Sequence, residues 1–71
     1  MNTRNSILGK NIKAERTRCG LTQFELAEQI KISESSLSLV ERGKQTPSVF
    51  VVFDIAKTLD IDINELFKNM N

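Results

Sequence analysis

Four serines stand within a short stretch of the chain, and they are its most informative candidates for chemistry. A nucleophilic serine needs an adjacent base, but the chain contains no histidine and its carboxylates are scattered. Hydroxyl groups in such a cluster suit hydrogen bonding, because each one both donates and accepts. The cluster therefore favours recognition of a polar partner over catalysis. Its members are Ser33, Ser35, Ser36 and Ser38.

Metal and redox chemistry find equally little support in the composition. Histidine is absent, and the single cysteine, Cys19, cannot form a thiolate metal site or an internal disulfide. No glycine-rich phosphate loop occurs in the sequence. We therefore predict a protein that is not an enzyme and that uses no cofactor and no metal. Cys19 is expected to be an inert thiol, with an intersubunit bridge or a redox switch as the alternatives.

A short helix with a defined start is predicted just before the serine cluster. Thr22 and Glu25 form a Thr-x-x-Glu capping box, which opens a helix from Gln23 to Ile30. A second short helix is predicted to carry the serines. It follows a tight turn at residues 31–33, spans about residues 34–42 and ends at Gly43. Its outer face is left free, so this helix can enter the major groove of DNA.

A longer helix is predicted ahead of these two. It begins near residue 6 or 7, after a loose polar terminus, and it ends before Gly20. Arg16 falls on the same inward stripe as Leu8 and Ile12. The stem of this arginine can therefore pack against the core while its guanidinium group needs an acceptor.

Two further helices are predicted in the C-terminal third. Thr46 caps a fourth helix with Pro47 at its first position, and this helix runs to about Leu59. Asp62 and Glu65 repeat the capping-box pattern in front of a short fifth helix that starts at residue 63. The chain is thus predicted to be an all-α protein of five helices, in one domain of 71 residues. The inward stripe of the fourth helix is predicted to be Val49, Val52, Phe53, Ala56 and Leu59.

Most of the chain resembles the Cro/cI-like (Xre) helix-turn-helix family of phage repressors and bacterial regulators. The resemblance covers about residues 8–67, with the helix-turn-helix core at about 22–42. It implies a lambda-repressor-like fold and a transcriptional regulator that binds duplex DNA. Controller proteins of restriction–modification systems are similar in size, and the sequence does not choose between them and phage repressors. The matching positions are Arg16, Gly20-Leu21-Thr22-Gln23, Leu26-Ala27, Ile32-Ser33, Leu37-Ser38, Val40-Glu41, Gly43, Pro47-Ser48, Ile55-Ala56, Leu59 and Leu66-Phe67.

Two residues depart from the pattern of that family. Lys31 stands where glycine is usual, which implies a side chain in the left-handed region at about 1 kcal/mol. Glu15 stands where an apolar residue is usual, which leaves the packing there open. The resemblance also implies that Glu41 accepts from Arg16. Two independent surface charges are the alternative to this structural ion pair.

Two sets of DNA contacts are predicted around the second helix of the motif. Leu39 suits contact with a thymine methyl group, with packing against a neighbouring loop as the alternative. Glu34 either accepts from a cytosine amino group or favours the positive helix end. Base readout is predicted for Glu34, Ser35, Ser38 and Leu39. Phosphate contacts are predicted for Gln23, Ser33, Ser36, Arg42, Lys44, Thr46 and Ser48.

Charge and apolar residues are distributed unevenly along the chain. Residues 1–22 hold five basic residues against one acidic residue, whereas residues 45–71 hold two against four, in a chain of net charge +1. This pattern predicts a basic DNA-facing side, with ordinary surface variation as the alternative.

Dimerisation is predicted through about residues 49–70, with Phe50 as its main residue because the family commonly has a polar residue there. The predicted interface comprises Phe50, Val51, Ile61, Ile63, Phe67 and Met70.

We therefore predict a cytoplasmic homodimer that binds an inverted-repeat operator of double-stranded DNA. Regulation would be steric or contact-based, with RNA polymerase as a further candidate partner, and no membrane contact is expected. An antitoxin of the same fold is the main rival, and its surface around Phe50 would then bind a toxin protein. A fragment of a nucleic-acid enzyme is a second rival, which the missing catalytic constellation disfavours.

The predicted role of Phe50 in the dimer interface also has an alternative, in which its side chain folds back over the fifth helix.

Overall fold

Capping residues define the helix boundaries in the computed structural model, which describes residues 3–70. These residues contain four α-helices, one 3₁₀ turn and no strand. The prediction of an all-helical protein is confirmed. A fifth α-helix is not found, because the last predicted helix is a 3₁₀ turn of four residues. The elements are α1 (Thr3–Arg18), α2 (Gln23–Ile30), α3 (Glu34–Glu41), α4 (Val49–Leu59) and the turn Ile63–Leu66.

The helix-turn-helix segment has nearly the boundaries that its capping residues predict. Thr22 Oγ1 accepts from the Glu25 N–H at 3.0 Å, and Glu25 Oε1 accepts from the Thr22 N–H at 2.9 Å. The hydrogen bond from the Thr22 backbone also holds the pKa of Glu25 below its ordinary value. Lys31 adopts the left-handed conformation, with φ 62°, and Gly43 does the same after α3, with φ 75°. Helix α3 ends one residue earlier than predicted, and Arg42 is its C-cap.

Helix α1 begins earlier than the sequence predicts. Residues 3–6 are helical, so the prediction of a loose terminus is wrong for them, and residues 1 and 2 lie outside the described range. Packing supports this first turn, because a Cβ added to Gly43 would come within 2.9 Å of the Ser6 Cα. Leu8, Ile12 and Arg16 are buried along one side of α1, as predicted.

Helix α4 begins later than predicted because its cap is Ser48. The Ser48 Oγ accepts from the Val51 N–H at 3.1 Å. Thr46, the predicted cap, instead accepts from Asn5 Nδ2 at 2.7 Å. Pro47 therefore precedes the cap and does not open the helix. The loop before α4 is thus tied to the first turn of α1.

The buried stripe of α4 also differs from the prediction. Val49 and Phe53 are 69% and 57% exposed, so their assignment to the core is wrong. Ile55 is fully buried and replaces them in a stripe with the spacing of one helix face. The buried residues of α4 are Val52, Ile55, Ala56 and Leu59.

One apolar core joins all the elements. Close contact between α1 and α3 depends on Gly9, since a Cβ there would lie 2.5 Å from the carbonyl oxygens of Val40 and Glu41. Helix α2 packs against α3 and α4, and small Ala27 is buried on its inner face. The core consists of Leu8, Ile12, Leu26, Ala27, Ile30, Leu37, Val40, Val52, Ile55, Ala56, Leu59 and Leu66.

Polar side chains of α1 hold the C-terminal segment in place. Buried Asn11 donates from Nδ2 to the carbonyl oxygens of Leu66 and Lys68, both at 2.9 Å. Glu15, whose packing the sequence left open, is buried and accepts from Arg18 Nε at 3.1 Å and from its Nη2. This hydrogen bond raises the pKa of Arg18. The Lys68 Nζ lies 3.8 Å from Glu15 Oε2, so a buried carboxylate here has two basic neighbours.

Candidate nucleic-acid interface

A shallow concavity of about 380 Å³ lies between the start of α2 and the outer face of α3. It contains all four residues that were predicted to read bases and two of those predicted to contact phosphates. The helix-turn-helix geometry therefore brings these six side chains to one surface. The lining residues are Gln23, Glu34, Ser35, Ser38, Leu39 and Arg42.

Two hydroxyl groups in this concavity are available to a partner. Within residues 3–70, the hydroxyls of Ser35 and Ser38 have no hydrogen-bond partner. Ser35 and Glu34 are exposed, whereas Ser38 is half-buried. Leu39 is also half-buried, and it lines the concavity. The surface thus combines free hydroxyls with a partly covered leucine.

The remaining residues that were predicted to contact phosphates do not line the concavity. Ser33 Oγ accepts from the Ser36 N–H and donates to Ser36 Oγ, both at 3.0 Å, so these hydroxyls serve the cap of α3. Lys44 follows the end of α3 and is exposed. Thr46 and Ser48 are occupied in the loop before α4 and in its cap. A phosphate role for these five residues stays a prediction.

A buried ion pair ties α1 to the end of α3. Arg16 Nε donates to Glu41 Oε2 at 2.6 Å, and Arg16 Nη2 donates to Glu41 Oε1 at 2.9 Å. Their side chains are only 8% and 2% exposed. Arg16 Nη1 also donates to the Leu21 carbonyl oxygen at 2.8 Å, just before α2. The contact is the one that the resemblance implies, and its energetic coupling stays a prediction.

The ion pair reaches the concavity through Gln23, a contact that the sequence analysis did not predict. The Gln23 Nε2 donates to Glu41 Oε1 at 2.9 Å, so this one oxygen accepts from both Arg16 and Gln23. A carboxylate has about four lone-pair sites, and a guanidinium group alone does not fill them. The remaining acceptor sites of Glu41 indicate that a further donor should bind there, but the sequence does not say which residue supplies it.

A second surface, on α4, is apolar. Phe50 is 77% exposed, so the alternative in which it folds over the C-terminal turn is wrong. Val49, Phe53 and Phe67 are also exposed, and a groove of about 400 Å³ joins Val49 to Phe67. We call these four exposed residues the α4 surface, although Phe67 follows the 3₁₀ turn and only the other three lie on α4. None of the four lines the concavity. The other residues predicted at the dimer interface are half-buried and pack against the core, namely Val51, Ile61, Ile63 and Met70.

Comparison with known proteins identifies the family. The helix-turn-helix family HTH_3 matches residues 12–66 of the chain. The chain belongs to the HTH_3 family. An uncharacterized HTH-type transcriptional regulator of Bacillus subtilis, YazB, is 40% identical over 60 residues, which cover 84% of this chain and 87% of YazB. This HTH_3 protein is therefore a transcriptional regulator of the Xre type, which confirms the resemblance found in its sequence.

Two further proteins are similar to this HTH_3 protein, one in sequence and one in structure. The immunity repressor of Bacillus phage phi105 is 36% identical over 59 residues, which cover 83% of this chain and 41% of the repressor. The restriction–modification controller protein C.AhdI from Aeromonas hydrophila has a structure that matches with a TM-score of 0.88 and 32% identity. That match covers 93% of this chain and 100% of C.AhdI. The likeness therefore extends over nearly the whole fold described here.

The HTH_3 chain has a single thiol, at Cys19. Cys19 is exposed, and its Sγ lies 3.8 Å from the Leu59 carbonyl oxygen as a weak donor. No helix within residues 3–70 is both long enough and apolar enough to cross a membrane. In the same range, no group of three or more acidic or thiol side chains could hold a metal ion.

Proposed function

We propose that this protein binds duplex DNA sequence-specifically as a homodimer and regulates transcription from an inverted-repeat operator. The observation that carries this proposal is the concavity, where the predicted base-reading residues meet Gln23 and Arg42. Unpartnered hydroxyls on the outer face of a recognition helix suit the donors and acceptors of base edges. Membership of the HTH_3 family supports the same function.

In this proposal α3 lies in the major groove, and different residues supply specificity and affinity. Ser35 and Ser38 hydrogen-bond to base edges, and Leu39 contacts a thymine methyl group. Arg42 and Lys44 contact phosphates near the end of α3, where they add affinity that does not depend on sequence. Specificity and salt dependence should therefore respond to different substitutions.

A second copy of the chain is proposed to cover the α4 surface. One recognition helix reads only a few base pairs, whereas a two-fold dimer reads two half-sites about one helical turn apart. Phenylalanine and other aromatic residues are enriched in the cores of protein interfaces. Phe50 and Phe53 lie on α4 and do not line the concavity, so their burial in a dimer leaves the DNA-binding residues accessible.

The regulatory role is proposed to be that of a small repressor or controller protein. The similarities to a phage immunity repressor and to the controller C.AhdI support both variants equally. Bound at a promoter, the dimer acts by blocking RNA polymerase or by contacting it. The polymerase is thus a candidate partner whose role depends on where the operator lies.

Selection from a random duplex library tests the proposal. Wild-type protein should enrich one family of sequences with two inverted half-sites, about ten base pairs apart between their centres. Substitution of Ser35 by alanine should change the preferred bases and keep the spacing. Retained duplexes that share no sequence, or that contain a single half-site, would contradict specific binding by a homodimer.

An antitoxin function is a second candidate, and the exposed α4 surface is the observation that favours it. In that case, the phenylalanines of α4 are covered by a toxin protein and not by a second copy. The purified chain alone separates the two candidates by its sedimentation. A dimer supports the homodimeric regulator, whereas a monomer that is encoded beside a small toxin supports the antitoxin.

A further inference from the structure

The side chain of Gln23 is held by a buried charge while it faces the candidate DNA surface. Its Nε2 donates to Glu41 Oε1 at 2.9 Å, yet the residue also lines the concavity with Ser35 and Ser38. Gln23 is half-buried, whereas Gln29 on the same helix is exposed. Among the residues that line the concavity, Gln23 is thus the one whose side chain is bonded to the buried ion pair.

The charge of Glu41 determines how the Gln23 amide is oriented. An ionised carboxylate accepts hydrogen bonds and cannot donate them, so it selects the NH₂ end of the amide and excludes the carbonyl end. One N–H and the carbonyl oxygen of Gln23 then remain for other partners. A glutamine without this contact would sample several rotamers and both amide orientations, and DNA binding would have to order it.

Arg16 fixes Glu41 and also the backbone that leads into α2. Two of its nitrogens donate to the two carboxylate oxygens of Glu41, at 2.6 and 2.9 Å. A third donates to the Leu21 carbonyl oxygen at 2.8 Å, two residues before Gln23. A single guanidinium group therefore positions both the partner of the Gln23 amide and the chain that carries it.

We propose that Glu41, held in place by Arg16, is a positioning residue that pre-orients the Gln23 amide for contact with DNA. The inference rests on the proposed DNA-binding function and adds a task for the buried pair beyond holding α1 against α3. A pre-oriented donor loses less conformational entropy on binding, so the Gln23 contact should be strong only while Glu41 holds it.

A thermodynamic cycle in DNA affinity tests this proposal. Its two arms are Gln23→Ala and the paired substitution of Arg16→Met with Glu41→Leu. The paired change is chosen because apolar residues of similar volume often replace a buried ion pair without loss of folding. The probe is a pool of random-sequence duplexes of about 30 base pairs, roughly three helical turns.

The proposal predicts strong non-additivity in this cycle. Gln23→Ala should weaken binding about tenfold in the wild-type background, which is the expected effect of losing one hydrogen bond to a charged group. In the Arg16→Met/Glu41→Leu background, affinity should already be reduced, and Gln23→Ala should change it less than about twofold. The control is Lys44→Ala, which should weaken binding by the same factor in both backgrounds because Lys44 does not touch the pair.

A purely structural ion pair predicts a different outcome. Gln23→Ala would then weaken binding equally in both backgrounds, and this result would overturn the proposal while leaving DNA binding itself intact. A wild-type protein that retains no duplex would overturn the proposed function and this inference together. The two failures are therefore distinguishable.

Side-chain dynamics of the free wild-type protein give a second test that needs no folded variant. The order parameter of the Gln23 side-chain NH₂ should approach that of rigid backbone, about 0.85, because Glu41 holds it. Gln29, exposed on the same helix, is the matched control and should fall below about 0.6. If Gln23 is as mobile as Gln29, Glu41 does not pre-orient it and the proposal is wrong.

Discussion

The concavity between α2 and α3 is lined mainly by polar side chains, one of which is hydrogen-bonded to the buried Arg16–Glu41 pair, whereas the α4 surface consists of exposed apolar side chains. In the first region, Gln23 is bonded to Glu41, which is bonded to Arg16. In the second, Phe50 and Phe53 project from α4 with most of their surface exposed. Polar recognition needs donors in fixed directions, while apolar association needs area that can be covered. The difference supports the proposal that the two regions bind different partners, DNA at the concavity and a second copy of the chain at the α4 surface.

The largest predicted effect concerns the support of the first region. Arg16→Met or Glu41→Leu alone should lower the free energy of unfolding by about 3–5 kcal/mol, because each leaves a buried charge unpaired. Together they should cost much less, so urea unfolding should show strong coupling in a double-mutant cycle. Additive losses would mean that the pair does not couple α1 to α3.

The second effect should be confined to the α4 surface. Phe50→Glu should weaken the dimer by about 2 kcal/mol or more, roughly 30-fold, because it places a charge in a buried apolar contact. Phe24→Glu is the matched control, since Phe24 on α2 is also exposed and lies outside the predicted interface. Sedimentation at several concentrations measures both variants. A wild type that stays monomeric at high micromolar concentration, or a Phe50→Glu variant that dimerises normally, would contradict this interface.

The third prediction separates two kinds of residue within the DNA-binding region. Leu39→Ala should lose about 1–3 kcal/mol of discrimination at one base position. Lys44→Ala should weaken all duplexes alike and reduce the salt dependence of binding by about one unit of slope. Titration of matched and mismatched duplexes at several salt concentrations measures both. If Leu39→Ala changes neither affinity nor the preferred site, direct readout by Leu39 is wrong.

The smallest predicted effect concerns two residues that adopt the left-handed backbone conformation, one at the end of α2 and one at the end of α4. Lys31 has φ 62° and Asp60 has φ 55°. Lys31→Gly should raise stability by up to about 1 kcal/mol, and Asp60→Gly by less, because aspartate tolerates this conformation better. Thermal unfolding measures both. Lys57→Gly, at an exposed position inside α4, should instead cost about 1 kcal/mol, and a gain there would contradict the conformational explanation.

The sequence predicted the helix-turn-helix almost to the residue because its boundaries depend on local hydrogen bonds. The cap of α2 pairs Thr22 with a residue only three positions away. The start of α4 was misplaced because Thr46 and Ser48 both resemble caps, and Thr46 is instead bonded to Asn5, which lies 41 positions away. That long-range contact leaves no periodic signal in the sequence.

The same distinction applies to the candidate site. The residues predicted to read bases belong to a helix whose outer face was predicted to be free, and the structure brings them together in the concavity. The bond between Gln23 and Glu41 was missed because it links residues 18 positions apart on two different helices. Val49 and Phe53 were assigned to the core because an apolar run does not reveal which of its faces is covered.

Titration of the selected duplex into isotopically labelled wild-type protein tests the separation of the two regions most directly. The largest amide chemical-shift changes should occur at residues 34–39 and at Gln23, because DNA occupies the concavity. The amides of Phe50 and Phe53 should change little, since a second copy of the chain already covers them. Changes concentrated on α4, with α3 unaffected, would contradict the assignment of DNA to the concavity and of the partner chain to the α4 surface.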